Sequence, residues 1–517
     1  MFATSTPATA DGFFDRASEV ARIEDAVAAL VRGAPKWLCL VGPRKVGKTS
    51  LLREVERRIT ARGKVRPSFV VVDVLEALPP SPQVLHSLAV QSVDALLSRE
   101  VGQALAPLAQ SADAWRAALV TSSRFLKLPD ALKVLILELP STPAEPASLP
   151  ALLSVPERLA EALGEWVVVA IDEFQELGTG RGAHDVMGLL RSTWQKHRRT
   201  SYVVSGSARS TLLELATSQH SPFFQHFEVM EIGEFDEAHA VELLVEASRD
   251  APHPIAPALA RRIFKGIGGS PFYLQVLGEA VSQEGGKAEA RLRSALQRVL
   301  FSDTGRLSLY FVNEFQRLVG RATTLAATLN ALATGPRTLT QIAGAIGSPT
   351  GATLGYLERL GDAVSRTADG RWRITDATFA TWLEWRQPGG AVVPMRLVGD
   401  EAELAVATRL AQLGFEFLYL SRGSRGPFDL LASRAARMLA VQVKRMPLPL
   451  RFAKAAWQRM EGEAKRYRWR WVVAQVESSG AVRLLDPKKA AKGRAITLTE
   501  RAIIEHPLDW FDRPGPP

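Results

Sequence analysis

The sequence predicts an α/β protein of several domains. A parallel sheet wrapped by helices comes first, then a helical layer, a three-helix unit with a β-hairpin, and a second, smaller α/β unit. Three observations carry this reading. An apolar run from Trp37 to Val41 passes through a glycine-containing turn into SLLREVERRI, whose Leu51, Leu52, Val55 and Ile59 recur at helical spacing. Short β-branched runs at Phe69 to Val72, Trp166 to Ile171 and Tyr202 to Val204 are separated by helical segments, the alternation of a parallel sheet. A chain of 517 residues also exceeds what one hydrophobic core holds.

Taken in order, residues 1–233 form the first α/β domain, with an Ala- and Leu-rich helical insertion at about 75–165 that is broken by LPSTPAEPASLP. Helical periodicity then dominates, and residues 234–320 are expected to form a helical lid, with a turn at GIGGSPFY opening one of its helices. Residues 321–388 give three short amphipathic helices, marked by Leu325, Leu329 and Leu332, by Leu339, Ile342 and Ile346, and by Leu354, Leu357 and Leu360. AVSRTADGRWRIT follows, where Asp369-Gly370 is a two-residue hairpin signal between strand-like arms. Three helices and a β-wing predict a winged helix. RQPGGAVVP reads as a linker, and the last α/β unit is expected over residues 396–517.

With 46% hydrophobic and 23% charged residues, the chain has the composition of a folded protein and not of a disordered one. Its longest apolar runs, such as Trp166 to Ile171, fall far below the roughly 18 to 20 residues that cross a bilayer, and MFATSTPATADG lacks the basic, apolar pattern of a secretory signal. A cytoplasmic protein with no membrane partner is expected. The single cysteine, Cys39, excludes an internal disulfide and a thiolate zinc site, and none of the eight histidines falls in a ligand-like cluster. The net charge of +10 is unevenly placed, because residues 391–517 hold 22 Lys/Arg against 13 Asp/Glu. A basic C-terminal region suits a polyanionic partner.

Gly42-Pro43-Arg44-Lys45-Val46-Gly47-Lys48-Thr49 satisfies G-x-x-x-x-G-K-[ST] between a strand and a helix, the context its chemistry requires. The glycines let backbone N–H groups close around a β-phosphate at a helix N-terminus, Lys48 reaches the β/γ oxygens as a point charge, and the Thr49 hydroxyl can ligate magnesium. Ser50, next in the turn, is grouped with these nucleotide-binding residues, and ATP with Mg2+ are the expected cofactors. A second strand, WVVVAI, ends in Asp172-Glu173. Neighbours on a strand face opposite ways, so Asp172 would hold the magnesium through water and Glu173 would orient or deprotonate the attacking water. The plainer alternative is an acidic pair capping a strand end. Ser205-Gly206-Ser207 can place the Ser207 hydroxyl between the two motifs, and Arg191 and Arg209 are candidates for a γ-phosphate, within the chain or across a subunit boundary. Each arginine reads equally well as a solvated helix residue.

The order FFDRASEVARI, GPRKVGKTSLL, VVVAIDEFQEL, SGSARSTLLEL, SPFFQHFEVMEIGEF and GGSPFYLQVLG resembles the prokaryotic "archaeal ATPase" family, a group of AAA+/STAND-like P-loop ATPases. RWRITDATFATWLEW is similar to that family's C-terminal pattern. The resemblance spans residues 13 to about 386 and implies an ASCE-type core with a helical lid and a winged helix. It also implies Phe13 or Phe14 near the adenine, Gly269-Ser270-Pro271 near the nucleotide from the lid side, and a homo-oligomer.

The last unit opens with a helix carrying Glu403, followed by Pro427-Phe428-Asp429 and, ten residues on, by Ala440-Val441-Gln442-Val443-Lys444. Two hairpin strands would present Asp429 on one arm and Gln442 with Lys444 on the same side of the other. This arrangement resembles the PD-(D/E)xK nuclease superfamily, nearest in spacing to Holliday junction resolvase-like and restriction endonuclease-like members. The resemblance implies magnesium ligation by Glu403 and Asp429, a third ligand or water contact from Gln442, and positioning of the hydrolytic water or transition-state charge by Lys444. Gln442 departs from the usual acid and removes one negative charge. An ordinary Asp429–Lys444 ion pair is the plainer alternative. Arg422, Arg425 and the interleaved KRYRWRW, Lys465 to Trp471, suit phosphate tracking and base stacking, or else a helix end feeding a strand with core tryptophans. The candidate recognition helix, SPTGATLGYLERLGD, is poor in Lys and Arg, so the winged helix is open to DNA or to a protein partner.

Together these motifs lead to the expectation of an ATPase module controlling a magnesium-dependent DNA endonuclease, in genome defence, recombination or mobile-element processing, on duplex or branched DNA. The alternative is a nucleotide-dependent switch that binds DNA or a partner protein through a catalytically weak nuclease fold. A third reading is a structural ATPase scaffold of a larger assembly.

Overall fold

The structure, a computed structural model, describes residues 2–4, 6–61, 67–76, 82–142, 145, 147–178, 183–387, 401–415, 417–420, 427–434, 437–467, 469–493 and 495–512. It divides into two compact units, residues 1–247 with 269–275 and residues 248–268 with 276–517. No helix among the described residues is long and apolar enough to cross a membrane.

The first unit is built on a sheet of five parallel strands: β1 Trp37–Val41, β2 Pro67–Asp73, β3 Trp166–Asp172, β4 Thr200–Gly206 and β5 Phe227–Glu231. Their order is β2-β3-β4-β1-β5. Both faces are covered, which is why the inner strands read as unbroken apolar runs. Side chains alternate, so Leu38 and Leu40 join Val71, Val168 and Ala170 beneath α1 (Ala17–Val31) and α2 (Lys48–Ala61). Trp37, Cys39 and Val41 join Val70, Val169, Ile171 and Val204 on the other face, against helices Pro82–Val101, Leu149–Leu163 and Ala183–Trp194. Each such buried aliphatic side chain contributes about 1.5–3 kcal/mol relative to exposure. Strand β5 escapes a sequence reading because it is an edge strand whose Phe227 and Met230 are buried while Glu228 and Glu231 are exposed, which leaves no continuous apolar run.

The insertion is helical, as its composition predicts, and thickens the second of these faces. Trp115 is fully buried there and its Nε1–H donates to the Ile136 carbonyl at 2.8 Å. Val41 lies beside Gly206 and Glu231, and Ile171 beside Val204. The turns after β1, β3 and β4 therefore emerge along one carboxyl edge of the sheet.

In the second unit, helices Thr323–Leu332, Leu339–Ile346 and Thr350–Leu360 precede a two-stranded hairpin, β6 Val364–Arg366 and β7 Trp372–Ile374. Thr338 and Gln341 form a capping box at the second helix, and Gly347 ends it in the left-handed conformation. The hairpin corrects the expected two-residue turn. Gly370 N–H donates to Thr367 O at 2.9 Å and Thr367 N–H to Arg371 O at 2.8 Å, giving a three-residue loop of Ala368, Asp369 and Gly370. Of these only Gly370 has positive φ, at 79°, whereas a two-residue Asp-Gly turn of the primed kind needs it at both positions. The closing helix Ala377–Trp385 is pinned within this unit by Trp382 Nε1–H to Ser308 Oγ at 2.9 Å and Thr378 Oγ1–H to Ile267 O at 2.9 Å.

Further along the same unit, a mixed sheet runs β13-β12-β10-β9-β8 in the order of its strands. These are β8 Phe417–Leu420, β9 Leu430–Arg434, β10 Arg437–Lys444, β12 Arg470–Val476 and β13 Val482–Leu485, with the short strand β11 Leu450–Phe452 outside it. Only the β10–β12 pair in this sheet is parallel, and helix Lys454–Tyr467 makes the crossover between them. Leu439 and Val441 of β10 pack toward helix Glu401–Gln412, through Ala402, Val406 and Leu410. Ala440 faces the other way, toward Trp457, Met460 and Trp471.

Candidate functional site

Strand β1 delivers the chain to Gly42, where a Cβ would sit 2.2 Å from the Ile232 carbonyl oxygen, so only glycine fits. Lys45 and Gly47 take positive φ of 62° and 100°, wrapping the loop, and buried Val46 anchors it in the core beneath α1 and α2. Lys48 opens α2 and is 5% exposed. Its Nζ donates to Gly42 O at 2.8 Å and Pro43 O at 2.9 Å. Burial pushes the Lys48 ammonium below its ordinary range, Glu173 and Asp172 pull it back up, and Arg44 opposes them.

Asp172 ends β3 and is 2% exposed. Its Oδ2 accepts from Thr49 Oγ1 at 2.5 Å, and its Oδ1 accepts from Ser205 Oγ at 2.7 Å and Glu173 N–H at 3.1 Å. The strand ends at Asp172, so Glu173 is turned away from it not by strand alternation, as expected, but by a left-handed backbone with φ of 52°. Its Oε2 accepts from Gln175 Nε2 at 2.5 Å, Ser207 Oγ at 2.9 Å and Ser207 N–H at 3.3 Å. Sequence reasoning placed Ser207 here but missed both Ser205, which holds Asp172, and Gln175, which holds Glu173. Gln175 stands two residues after the acidic pair, and that spacing was the available signal.

The two arginines separate. Arg209 opens the helix after β4 on the carboxyl edge and pairs with Glu231 at 2.7 Å, an exposed ion pair of little strength. Arg191 is not brought to this site. Helix Ala183–Trp194 runs back across the sheet, and Arg191 in its last turn donates to His226 at 3.4 Å. The His226 ring lies 5.4 Å from that of Trp37, the first residue of β1, whereas the loop follows Val41, the last.

A cleft of about 280 Å³ is lined by the loop from Arg44 to Ser50, by Glu173, Phe13, Phe14 and Arg16, and by Pro271 and Phe272. Gly269, just before, is held so close that a Cβ would lie 1.9 Å from Phe235 O. Lys45 Nζ sits 5.2 Å over the Phe272 ring. Arg16 was not singled out from the sequence, yet it is buried and donates to Val46 O at 3.3 Å and Gly233 O at 2.5 Å, bracing the loop. The segment before it also lines the cleft: Ala3 N–H donates to Gln275 Oε1 at 2.6 Å, Ala8 N–H to Ser50 Oγ at 3.0 Å and Ala10 N–H to Glu54 Oε2 at 2.9 Å. The Ser50 hydroxyl therefore serves this segment, while the residue still lines the cleft.

Residues 12–204 match the family model of the AAA ATPase domain. This match implies nucleotide binding and ATP hydrolysis, and the residues it covers include the loop from Gly42 to Thr49. No curated protein matches the chain. Among solved structures, the chain is similar to the Walker-type ATPase of Pyrococcus abyssi, at 20% identity and a TM-score of 0.51, over 74% of this chain and 99% of that one. That likeness shows the fold. Lower scores link it to the ORC2 protein of Aeropyrum pernix, at 14% identity and a TM-score of 0.47 over 80% and 97% of the two chains. The RuvB Holliday junction branch migration motor of Thermotoga maritima follows, at 14% identity and a TM-score of 0.36 over 72% and 96%.

In the second unit, Asp429 immediately precedes β9 and its N–H donates to Val441 O at 2.9 Å. Its Oδ2 accepts from Val443 N–H at 2.6 Å and from the Gln442 side-chain amide. Gln442 and Lys444 share the face of β10 opposite Val441. Lys444 Nζ lies 5.9 Å over the Phe452 ring. Arg445 binds Glu401 at 2.6 Å, which brings the first turn of helix Glu401–Gln412, with half-buried Glu403, to the end of β10.

Arg422 and Arg425 lie outside the described residues. The KRYRWRW segment is, in its described part, a helix end feeding a strand. Trp471 is buried against Trp457 and Phe428, and Arg470 lies over Trp510, so neither ring nor guanidinium is presented to a base. Tyr467 is 49% exposed and stacks on Trp469.

Both candidate sites suit magnesium in composition. At the loop the donors are the Thr49 hydroxyl and the Asp172 carboxylate, hard oxygens already within hydrogen-bond distance of each other. At β10 they are Asp429, Glu403 and the Gln442 carbonyl, which meets Asp429 only if the amide turns over. Among the described residues no group of three or more His, Cys, Asp or Glu is placed to hold a metal ion.

Proposed function

We propose that this chain is a cytoplasmic, homo-oligomeric ATPase acting on DNA, in which residues 1–320 govern a magnesium-dependent endonuclease carried by residues 396–517. The setting is genome defence, recombination or the processing of mobile DNA. The observation that carries the reading is the presence on one chain of two acidic sites. One is tied to a phosphate-binding loop, and the other sits on a sheet in the region holding nearly all the excess positive charge.

At the loop, Lys48 would exchange the Gly42 and Pro43 carbonyls for β/γ-phosphate oxygens. Thr49 and Asp172 would hold magnesium, whose charge offsets that of the phosphates, and Glu173 would orient the attacking water. Arg209 would reach a γ-phosphate by leaving its weak pair with Glu231. In the C-terminal domain Glu403, Asp429 and Gln442 would hold the cation that polarises a phosphodiester, and Lys444 would offset charge developing on it. The winged helix would take DNA or a protein partner.

The test is cleavage of plasmid and branched DNA with magnesium, with and without ATP, for wild type, Asp429→Ala and Lys48→Ala. Cleavage lost in the first variant supports the nuclease, and loss in the second places it under ATP control. A second reading, a nucleotide-dependent switch, draws support from the Gln442 amide, which donates to Asp429 where a cation would bind. ATP-dependent DNA affinity without strand breaks would favour it.

A further inference from the structure

The face of the C-terminal sheet that carries Gln442 and Lys444 continues across its neighbouring strands. In the parallel pair of β10 and β12, Lys444 stands beside Gln475, and in the antiparallel pair of β12 and β13, Gln475 stands beside Arg483. Side chains alternate along a strand, and Ala440, Val473 and Leu485, each an even number of residues from a member of this row, pack on the side of helix Lys454–Tyr467. Lys444, Gln475 and Arg483 therefore stand abreast on one face, two residues along β10 from Gln442 and its bond to Asp429.

Gln475 is the unusual member of the row. It is 4% exposed, and its Oε1 is buried without a hydrogen-bond partner. A buried acceptor left in this state is costly, and each such case calls for a reason. The side chains on either side of it, Lys444 and Arg483, are donors only. Both turn their charge elsewhere in the free protein. Lys444 Nζ lies 5.9 Å over the Phe452 ring, and Arg483 pairs with Glu477 at 2.7 Å, with side chains 42% and 30% exposed. An ion pair so exposed is weak, as is an ammonium resting on a ring, so each cation is released at little cost.

We propose that Lys444 and Arg483 close as a clamp on a backbone phosphate of DNA, with Gln475 as the positioning residue between them. The inference rests on the reading of residues 396–517 as DNA-binding, and not on their cutting DNA. A phosphate that draws the two cations together brings them over Gln475, whose Oε1 then accepts an N–H from one of them while their other donors hold the phosphate oxygens. Glu477 is the group that the phosphate displaces from Arg483. The acceptor that is unpaired in the free protein is satisfied in the bound one, and this difference between the two states favours the closed arrangement.

The experiment measures binding of a fluorescently labelled DNA duplex to the full chain by anisotropy, in EDTA so that no strand is cut, across a salt series and with melting temperatures alongside. Lys444→Ala and Arg483→Ala are each expected to reduce the slope of log affinity against log salt by about 0.9, the loss of one phosphate contact. Gln475→Leu keeps the bulk and removes the unpaired oxygen, so affinity should fall about threefold to tenfold while the melting temperature does not fall. In a chain that lacks both cations the same substitution should have no further effect, because Gln475 acts through them. A lowered melting temperature with unchanged affinity in Gln475→Leu would make Gln475 a structural residue and overturn its role. Unchanged slopes in both cation variants would overturn the clamp and leave DNA binding by the domain intact. A wild-type chain that binds no duplex at any salt concentration removes the DNA reading of residues 396–517, and the clamp with it.

Discussion

Replacing Ser205 by alanine removes one donor from Asp172, and the structure sets the size of the effect. Ser205 is fully buried and its Oγ lies 2.7 Å from Asp172 Oδ1. Without it, that oxygen keeps the longer contact from Glu173 N–H at 3.1 Å, while Oδ2 keeps Thr49 at 2.5 Å. A hydrogen bond to a buried charge is worth about 1.5–3 kcal/mol, and alanine retains the Cβ, so no large cavity adds to it. About 2 kcal/mol corresponds to roughly 30-fold in an equilibrium constant. Spread over a folded unit of this size, at about 2–4 °C per kcal/mol, the melting temperature should fall by about 4–8 °C. Calorimetry with and without MgATP, beside steady-state hydrolysis, reads both consequences, and the same energy bounds the loss in kcat/KM at about 30-fold. A melting temperature within about 1 °C of wild type together with unchanged kcat/KM would show that Ser205 does not hold Asp172.

Three further outcomes are expected. Glu54 accepts from Arg57, from Ala10 N–H and from Arg58, which hold its carboxyl down at about 2, against an ordinary 4.5. The depressed value means that its stabilisation is present above the unfolded value and is lost as pH falls from about 4.5 toward 2, so acid unfolding of wild type and Glu54→Gln should converge over that window. Gly42→Ala drives a Cβ to 2.2 Å from a backbone oxygen, so either β1 or the Ile232 strand end must move. Overpacking of this kind costs about 1–3 kcal/mol, and nucleotide titration should show affinity lost before the fold is. Trp471→Ala empties a site packed by Trp457 and Phe428 and should destabilise the C-terminal sheet by about 3–5 kcal/mol in denaturant unfolding. A variant as stable as wild type but selectively poor in DNA binding would return Trp471 to the surface.

Much of the first unit is legible in the chain because its signals are local. The loop from Gly42 to Thr49 lies between a strand and a helix that adjoin it in sequence, and strands buried on both faces declare themselves as apolar runs. Strand β5 does not, since its buried Phe227 and Met230 lie on opposite faces and are interrupted by exposed Glu228, and the β6–β7 loop was misread because Asp-Gly serves both two-residue turns and three-residue loops, which differ in length and in the sign of φ at the aspartate. The segment at Trp469 to Trp471 could be divided between core and surface only by the packing of helix Lys454–Tyr467 against β12.

The residue types of both acidic sites, the phosphate-binding loop and the concentration of charge after residue 390 were determined by the sequence itself, because each depends on neighbours within a few positions. Tertiary structure decided which hydroxyl meets which carboxylate. Strand β4 lies between β1 and β3, so Ser205 and Ser207 reach Asp172 and Glu173 from more than thirty residues away. The direction of one helix carries Arg191 to the opposite edge of the same sheet. Such pairings depend on strand order and crossover direction, which arise from burying both faces of the sheet at once and leave no mark at any single position of the chain.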